Sequence, residues 1–449
     1  MRYSMLKTLN ILLVALLAAS AARAQVTPET ALRSYLNNDD KSFQWTVRDS
    51  FEVADITAYS VALTSQKWRE HTWKHQLMVF VPKMVKHNGA LLFITGGSLK
   101  EGEPRWTGAN DKLYQAIGQI AHDRQAITAV LRQTPNQPLY NDLTEDALIS
   151  YTLHNFKQSK DYTWPLLFPM VKSAVRAMDA VQELSRGRAA KPVEKFVVAG
   201  ASKRGWTTWL TGASDGRVKA IAPMVIDILN MPKSLDYQIE TWKEYSIQIE
   251  DYVKLGIPQQ TGTAEGKAIT AMVDPYSYRK QLDMPKMLFM GTNDEYWVVD
   301  NVKNYISDIP GKYLLNYVPN AGHNMGDGKQ VMNGLSAFFG ITFNGQHYPE
   351  CSYTVKKKGK EVTLNIKATS DKLEDVVVWT ASSPDLDFRN DKWTSTSLGI
   401  SATSNVSVSR ALPATGYQAF YVDLKYSQES GDPYTVSTRV FLTDTEKVR

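Results

Sequence analysis

The stretch FVVAGASKRGW, residues 196–206, places Ser202 between an apolar run and a segment able to open a helix. A serine hydroxyl is a poor nucleophile until a base removes its proton, and imidazole does this best near neutral pH. The chain has 7 histidines, and only His323 follows a late apolar run in a loop, VPNAGHNMG, whose glycines and asparagines let a ring project into a site. An imidazolium needs a carboxylate to orient and stabilise it. MLFMGTNDEYW ends an earlier apolar run at Asp294, and Asp227, closing IAPMVID, is the alternative acid, with Glu295 third. Serine, imidazole and carboxylate together perform acyl transfer.

The chain order Ser202, Asp294, His323 is that of an α/β-hydrolase triad, whose nucleophile stands on a sharp turn between strand and helix. Such a turn demands small neighbours. Gly200 and Ala201 precede Ser202 and Gly205 follows, giving G-x-S-x-x-G, with Arg204 where the usual G-x-S-x-G has its second glycine. LLFITGGS ends another run at Gly96-Gly97. A Gly97 N–H turned inward, paired with the Lys203 N–H, forms an expected oxyanion site. Arg204, Trp206 and Trp297 are candidate substrate-binding residues. His71 and His75 are four apart, but in a strand context they do not share a helix face, so no metal site is read there. No cofactor pattern appears.

These residues need a scaffold. ITAYSVALTSQKW and WKHQLMVFVP read as neighbouring strands joined around Arg69–His71. The runs at 90–97, 126–133, 195–202, 219–227, 286–294 and 313–323 are short and almost continuously apolar, as strands buried on both faces are. Helical spacing between several of them, at 110–123, 146–156, 167–184 and 328–340, predicts an α/β, doubly wound sheet. The interval 228–282 is too long for a connector and reads as a helical cap. Beyond residue 350, apolar and polar residues alternate in short, turn-separated stretches. Residues 25–349 are therefore expected to be an α/β-hydrolase-like domain and residues 350–449 an all-β, immunoglobulin-like sandwich.

Arg2 and Lys7 precede an apolar stretch ending in Ala22-Arg23-Ala24, the pattern of a signal peptide over residues 1–24 and of a secreted or periplasmic product. No other segment has the length of a transmembrane helix. Without that leader, 48 basic and 46 acidic side chains leave a net charge of only +2, which calls for neither nucleic acid nor an anionic membrane. Cys351 is the single cysteine, so no internal disulfide forms, and it is expected to be a buried small residue.

VVAGASKRGWTTWLTG, KAIAPMVIDILNM, MLFMGTNDEYW and YVPNAGHNM together resemble the PhoPQ-activated pathogenicity-related proteins, which are related to an autocrine proliferation repressor of social amoebae. The resemblance covers nearly the whole mature chain. It implies an α/β-hydrolase fold with a C-terminal β-domain in a secreted bacterial protein, and no particular reaction. The G-x-S-x-x-G variant is also similar to that of glucuronoyl esterases, pointing to a carbohydrate ester, while likeness to dipeptidyl-peptidase folds keeps a peptide substrate open. Two functions follow: a serine hydrolase acting on a small-molecule, glycan-ester or peptide substrate, or a non-catalytic recognition protein whose C-terminal domain meets a protein partner.

Overall fold

The structure, a computed structural model, describes residues 25–399, 404–429 and 432–449; the leader read at residues 1–24 lies outside them. The strands are β1 (Gln44–Val53), β2 (Ile56–Trp68), β3 (His71–Pro82), β4 (Gly89–Ile94), β5 (Leu99–Lys100), β6 (Glu103–Pro104), β7 (Ile127–Leu131), β8 (Lys195–Ala201), β9 (Val218–Met224), β10 (Lys286–Gly291) and β11 (Tyr313–Val318). In the C-terminal part they are β12 (Cys351–Lys358), β13 (Glu361–Ala368), β14 (Leu373–Ser383), β15 (Thr394–Ser397), β16 (Asn405–Ala411), β17 (Tyr417–Tyr426), β18 (Tyr434–Ser437) and β19 (Phe441–Thr443).

One sheet carries the molecule, in the order β1-β2-β3-β7-β4-β8-β9-β10-β11-β18-β17-β14-β15, with β19 on β17. From β7 to β11 the strands are parallel. Every residue of β4, β7 and β10 is buried, which is why those segments read as unbroken apolar runs. The polar lead-in is itself structured: Pro28–Leu36 is a helix and β1 adds an outer antiparallel strand to β2. β1 escaped the sequence pattern because most of it is exposed.

The topology creates a crevice at one place. The chain leaves β4 through helix Lys112–Arg124 to β7 on one side, and leaves β8 through helix Lys203–Ser214 to β9 on the other. The two helices pack in opposite core layers: Ile117 and Ile120 of the first lie with Leu91 and Phe93, and Trp209 and Leu210 of the second with Leu92 and Val198. Strand order thus reverses between β4 and β8, and a crevice opens beyond their carboxyl ends, where open α/β sheets bind ligands.

The C-terminal strands, read from the sequence as an immunoglobulin-like sandwich over residues 350–449, are joined to the main sheet. β18 pairs antiparallel with β11 through Leu315 and Ser437, so β14, β15, β17, β18 and β19 extend the main sheet. Among the described C-terminal strands, β12-β13-β16 form a separate sheet. Ala419 and Tyr421 of β17 face the core layer of helix Lys203–Ser214, while Phe420, Val422 and Leu424 face the layer containing Val362, Leu364 and Ile366 of β13. The small sheet thus covers the face that helices cover elsewhere. Cys351 is only partly buried at the start of β12, and desolvation pushes its thiol up to about 12. No helix among the described residues is long and apolar enough to cross a membrane.

Candidate active site

β8 ends at Ala201 and the next helix starts at Lys203, leaving Ser202 alone at the turn with φ 58° and ψ −124°. A non-glycine residue with positive φ is strained and needs its surroundings to hold it. The Ser202 N–H donates to the Met224 carbonyl at 2.9 Å, and the Ser202 carbonyl accepts from the Trp206 N–H at 2.9 Å. The glycines are required by close approach. A Cβ on Gly200 would lie 2.7 Å from the Arg204 carbonyl oxygen, and one on Gly205 would lie 2.8 Å from the Met224 carbonyl oxygen.

Arg204, in the place of the usual glycine, is fully engaged by the protein. Its guanidinium forks onto Glu145 at 2.6 and 2.8 Å, and its Nε donates to the Thr134 carbonyl at 2.5 Å. It lies against Gly96, where a Cβ would come within 2.5 Å of Nη2. The arginine therefore ties the helix after Ser202 to the loops after β4 and β7, its forked donors taken up by Glu145.

Three remote loops meet at Ser202. His323 Nε2 lies 2.8 Å from Ser202 Oγ, and His323 Nδ1 lies 3.0 Å from both Asp294 carboxylate oxygens. With Asp294 accepting the Nδ1 proton, Nε2 is left to accept the serine proton. Asp294 also accepts the Tyr296 N–H at 2.8 Å. Burial raises the Asp294 carboxyl above its ordinary range, and the hydrogen bond from His323 opposes that rise. Two neighbours of Asp294 hold the His323 loop and ring: Glu295, read from the sequence only as a third candidate acid, and Tyr296, which sequence reasoning missed. Glu295 accepts the His323 N–H at 2.9 Å, and the Tyr296 ring stacks on the imidazole with centroids 4.0 Å apart. The only signal for Tyr296 was adjacency to Asp294 in NDEYW.

Parallel pairing sets Ile94 beside Gly200, so the Gly96-Gly97 loop and Ser202 leave the sheet at the same end of adjacent strands. Gly97 has φ 151°, and a Cβ there would stand 2.9 Å from the Gln133 side chain. Neither the Gly97 N–H nor the Lys203 N–H has a hydrogen-bond partner among the described residues. Asp227 is buried beside Tyr305 and makes no hydrogen bond to His323; desolvation, then the nearby Asp294 charge, push it up to about 7. Trp206 and Trp297 line a cleft that opens at Ser202, their indole N–H groups donating to the carbonyls of Val273 and Val225.

The span 228–282 is helical for most of its length, and its helices Met231–Trp242 and Ala264–Val273 contribute walls to that cleft. A polar cluster also escaped sequence reading: Lys203 Nζ lies 2.5 Å from Asp146, which accepts the Tyr252 hydroxyl at 2.9 Å. Nothing in the spacing of 146, 203 and 252 announces it.

His71 and His75 are structural. His71 lies against Glu70, while His75 is fully buried, Nδ1 on the Arg132 carbonyl and Nε2 on the Ser65 hydroxyl, both at 2.9 Å. Desolvation lowers His75 to about 4. A depressed histidine binds fewer protons folded than unfolded, so its stabilisation is present above about 6.5 and is lost as pH falls towards 4. His75→Gln should therefore flatten the fall in Tm between pH 6.5 and 4; parallel Tm–pH curves for variant and wild type would contradict this.

Residues 32–389 match the PhoPQ-activated pathogenicity-related protein family. The chain belongs to that family. The family match runs past residue 350 into the C-terminal strands. Autocrine proliferation repressor protein A of Dictyostelium discoideum is 30% identical over 462 residues, covering 95% of this chain and 92% of that protein. An acetyl xylan esterase from Thermoanaerobacterium sp. superposes with a TM-score of 0.50 at 16% identity, over 70% of this chain and 93% of the other. At that identity the likeness speaks to fold alone, a mixed sheet with helices similar to esterase α/β-hydrolase folds.

Proposed function

We propose that this family member is a secreted or periplasmic serine hydrolase that works through an acyl-enzyme, on an ester rather than a peptide. The observation that carries the reading is the hydrogen-bonded row Ser202–His323–Asp294 at a strained strand-to-helix turn. His323 Nε2 takes the Ser202 proton as Oγ attacks the carbonyl carbon. The oxyanion points to the unpaired N–H groups of Gly97 and Lys203, and Asp294 stabilises the imidazolium. His323 then gives its proton to the leaving oxygen, and water repeats the sequence on the acyl-enzyme. An ester is favoured over a substrate held by its free N-terminus because the walls hold no free carboxylate for an ammonium: Asp146 is already paired with Lys203.

A fluorophosphonate probe, which captures activated serines, tests this. The wild-type protein should be labelled, and Ser202→Ala and His323→Ala should not. An ordered wild type that stays unlabelled would favour the alternative, a recognition protein on a hydrolase scaffold. Export rests on the residue 1–24 pattern. Intact mass of exported protein should show Gln25 first, and retention of Met1 would refute cleavage there.

A further inference from the structure

The cleft at Ser202 has a free space of about 820 Å³, its open mouth included. Trp206, Ile226, Ile228, Leu235, Ile269 and Trp297 supply much of its wall. Its polar groups are few, and apart from the hydroxyls of Thr261, Thr270 and Tyr296 most are already committed. Lys203 and Tyr252 both turn to Asp146, and the Trp206 and Trp297 N–H groups are used by backbone carbonyls. A sugar ring placed here would bury more hydroxyls than the Thr261, Thr270 and Tyr296 side chains could receive. An aliphatic or aromatic group would displace water from apolar walls at no such cost.

The position of the cleft relative to the row decides which half of an ester it receives. The leaving oxygen must lie against His323 Nε2, the source of its proton. The cleft is lined by Ser202 and Lys203, the sources of the nucleophile and of one oxyanion N–H, and His323 is not among its walls. Tyr296, stacked on the imidazole, is itself a wall of the cleft, while the imidazole is not. Resting on the serine-hydrolase reading above, we infer that this cleft is the acyl pocket and that the natural substrate is an ester of an apolar acid longer than acetate, aliphatic or aromatic. The alcohol lies on the His323 side, outside these walls.

The test uses the mature protein with p-nitrophenyl acetate, butanoate, hexanoate and octanoate. With the leaving group constant, kcat/KM should rise by up to about fourfold for each methylene that still fits, so that hexanoate exceeds acetate by about tenfold or more. Changing the alcohol with hexanoate fixed should give no comparable rise. Leu235→Phe and Ile269→Trp each fill part of the cleft, and each should lower the hexanoate-to-acetate ratio by about tenfold. The ratio cancels any loss of folded protein. Acetate turned over as well as hexanoate by a protein that fluorophosphonate labels would overturn the acyl-pocket assignment and leave the hydrolase reading intact. So would a ratio that neither substitution moves. A wild type that is neither labelled nor active removes both.

Discussion

Asp294→Asn is expected to lower kcat by about 10⁴-fold with the fold preserved, because a carboxamide holds the histidine in the wrong tautomer. In the native protein both Asp294 oxygens face His323 Nδ1 at 3.0 Å and accept its proton, leaving Nε2 free for Ser202 2.8 Å away. An asparagine NH₂ at the same place would donate to Nδ1, move the ring proton to Nε2, and leave Ser202 without a base. Asp227→Asn is the matched control. Asp227 also follows a strand that leads to the site, yet it does not bond to His323, and burial already pushes it up to about 7. A neutral isostere there should leave kcat within a few-fold of wild type. Hexanoate turnover by both variants, with near-ultraviolet circular dichroism to establish folding, decides the matter. Equal losses, or a larger loss at Asp227, would mean the carboxylate roles are assigned wrongly.

Gly291→Ala should abolish most activity through the backbone alone. Gly291 ends β10, and the histidine loop lies directly against it. A Cβ at this position would stand 2.3 Å from the Ala321 carbonyl oxygen and 2.5 Å from that of Gly322. The strand end is also fastened to the loop by the Thr292 N–H on Val318 at 3.1 Å and the Asn293 N–H on Ala321 at 2.9 Å. The loop can relieve the clash only by shifting its backbone, and His323 is the next residue. A displacement near 1 Å in a reacting group costs about 10²-fold in rate, so kcat per folded molecule should fall at least that far, with a lowered Tm. Gly216→Ala, where a Cβ would meet nothing within 4 Å, should be close to neutral in both readouts. Normal kcat in folded Gly291→Ala would show that the loop is not held in this way.

The strands beneath the site were legible because burial on both faces leaves a run of apolar residues whatever the neighbouring strand is. β8 and β10 accordingly lie inside the runs read at 195–202 and 286–294, and β9 lies in the run 219–227 but for its first residue. The turns that bear Ser202 and His323 were legible for a related reason: a sharp turn at a strand end needs small residues beside it, and glycine marks the sequence. β1 and the helix Pro28–Leu36 were not legible, since one is largely exposed and the other short. The C-terminal alternation was read correctly as strands, but alternation reports only that two faces differ. It cannot say that β18 pairs with β11, because backbone hydrogen bonds between strands leave no mark on side-chain identity.

By itself, then, the sequence determined the types of group that meet and the strand ends that bear them, because local propensity and burial act on neighbours along the chain. Tertiary structure alone decided that Arg204 is consumed by Glu145, that Tyr296 backs the imidazole, and that the space beside Ser202 is apolar. Those outcomes depend on side chains drawn from segments far apart along the chain and packed against one another, and no spacing in the chain encodes a distance across a sheet.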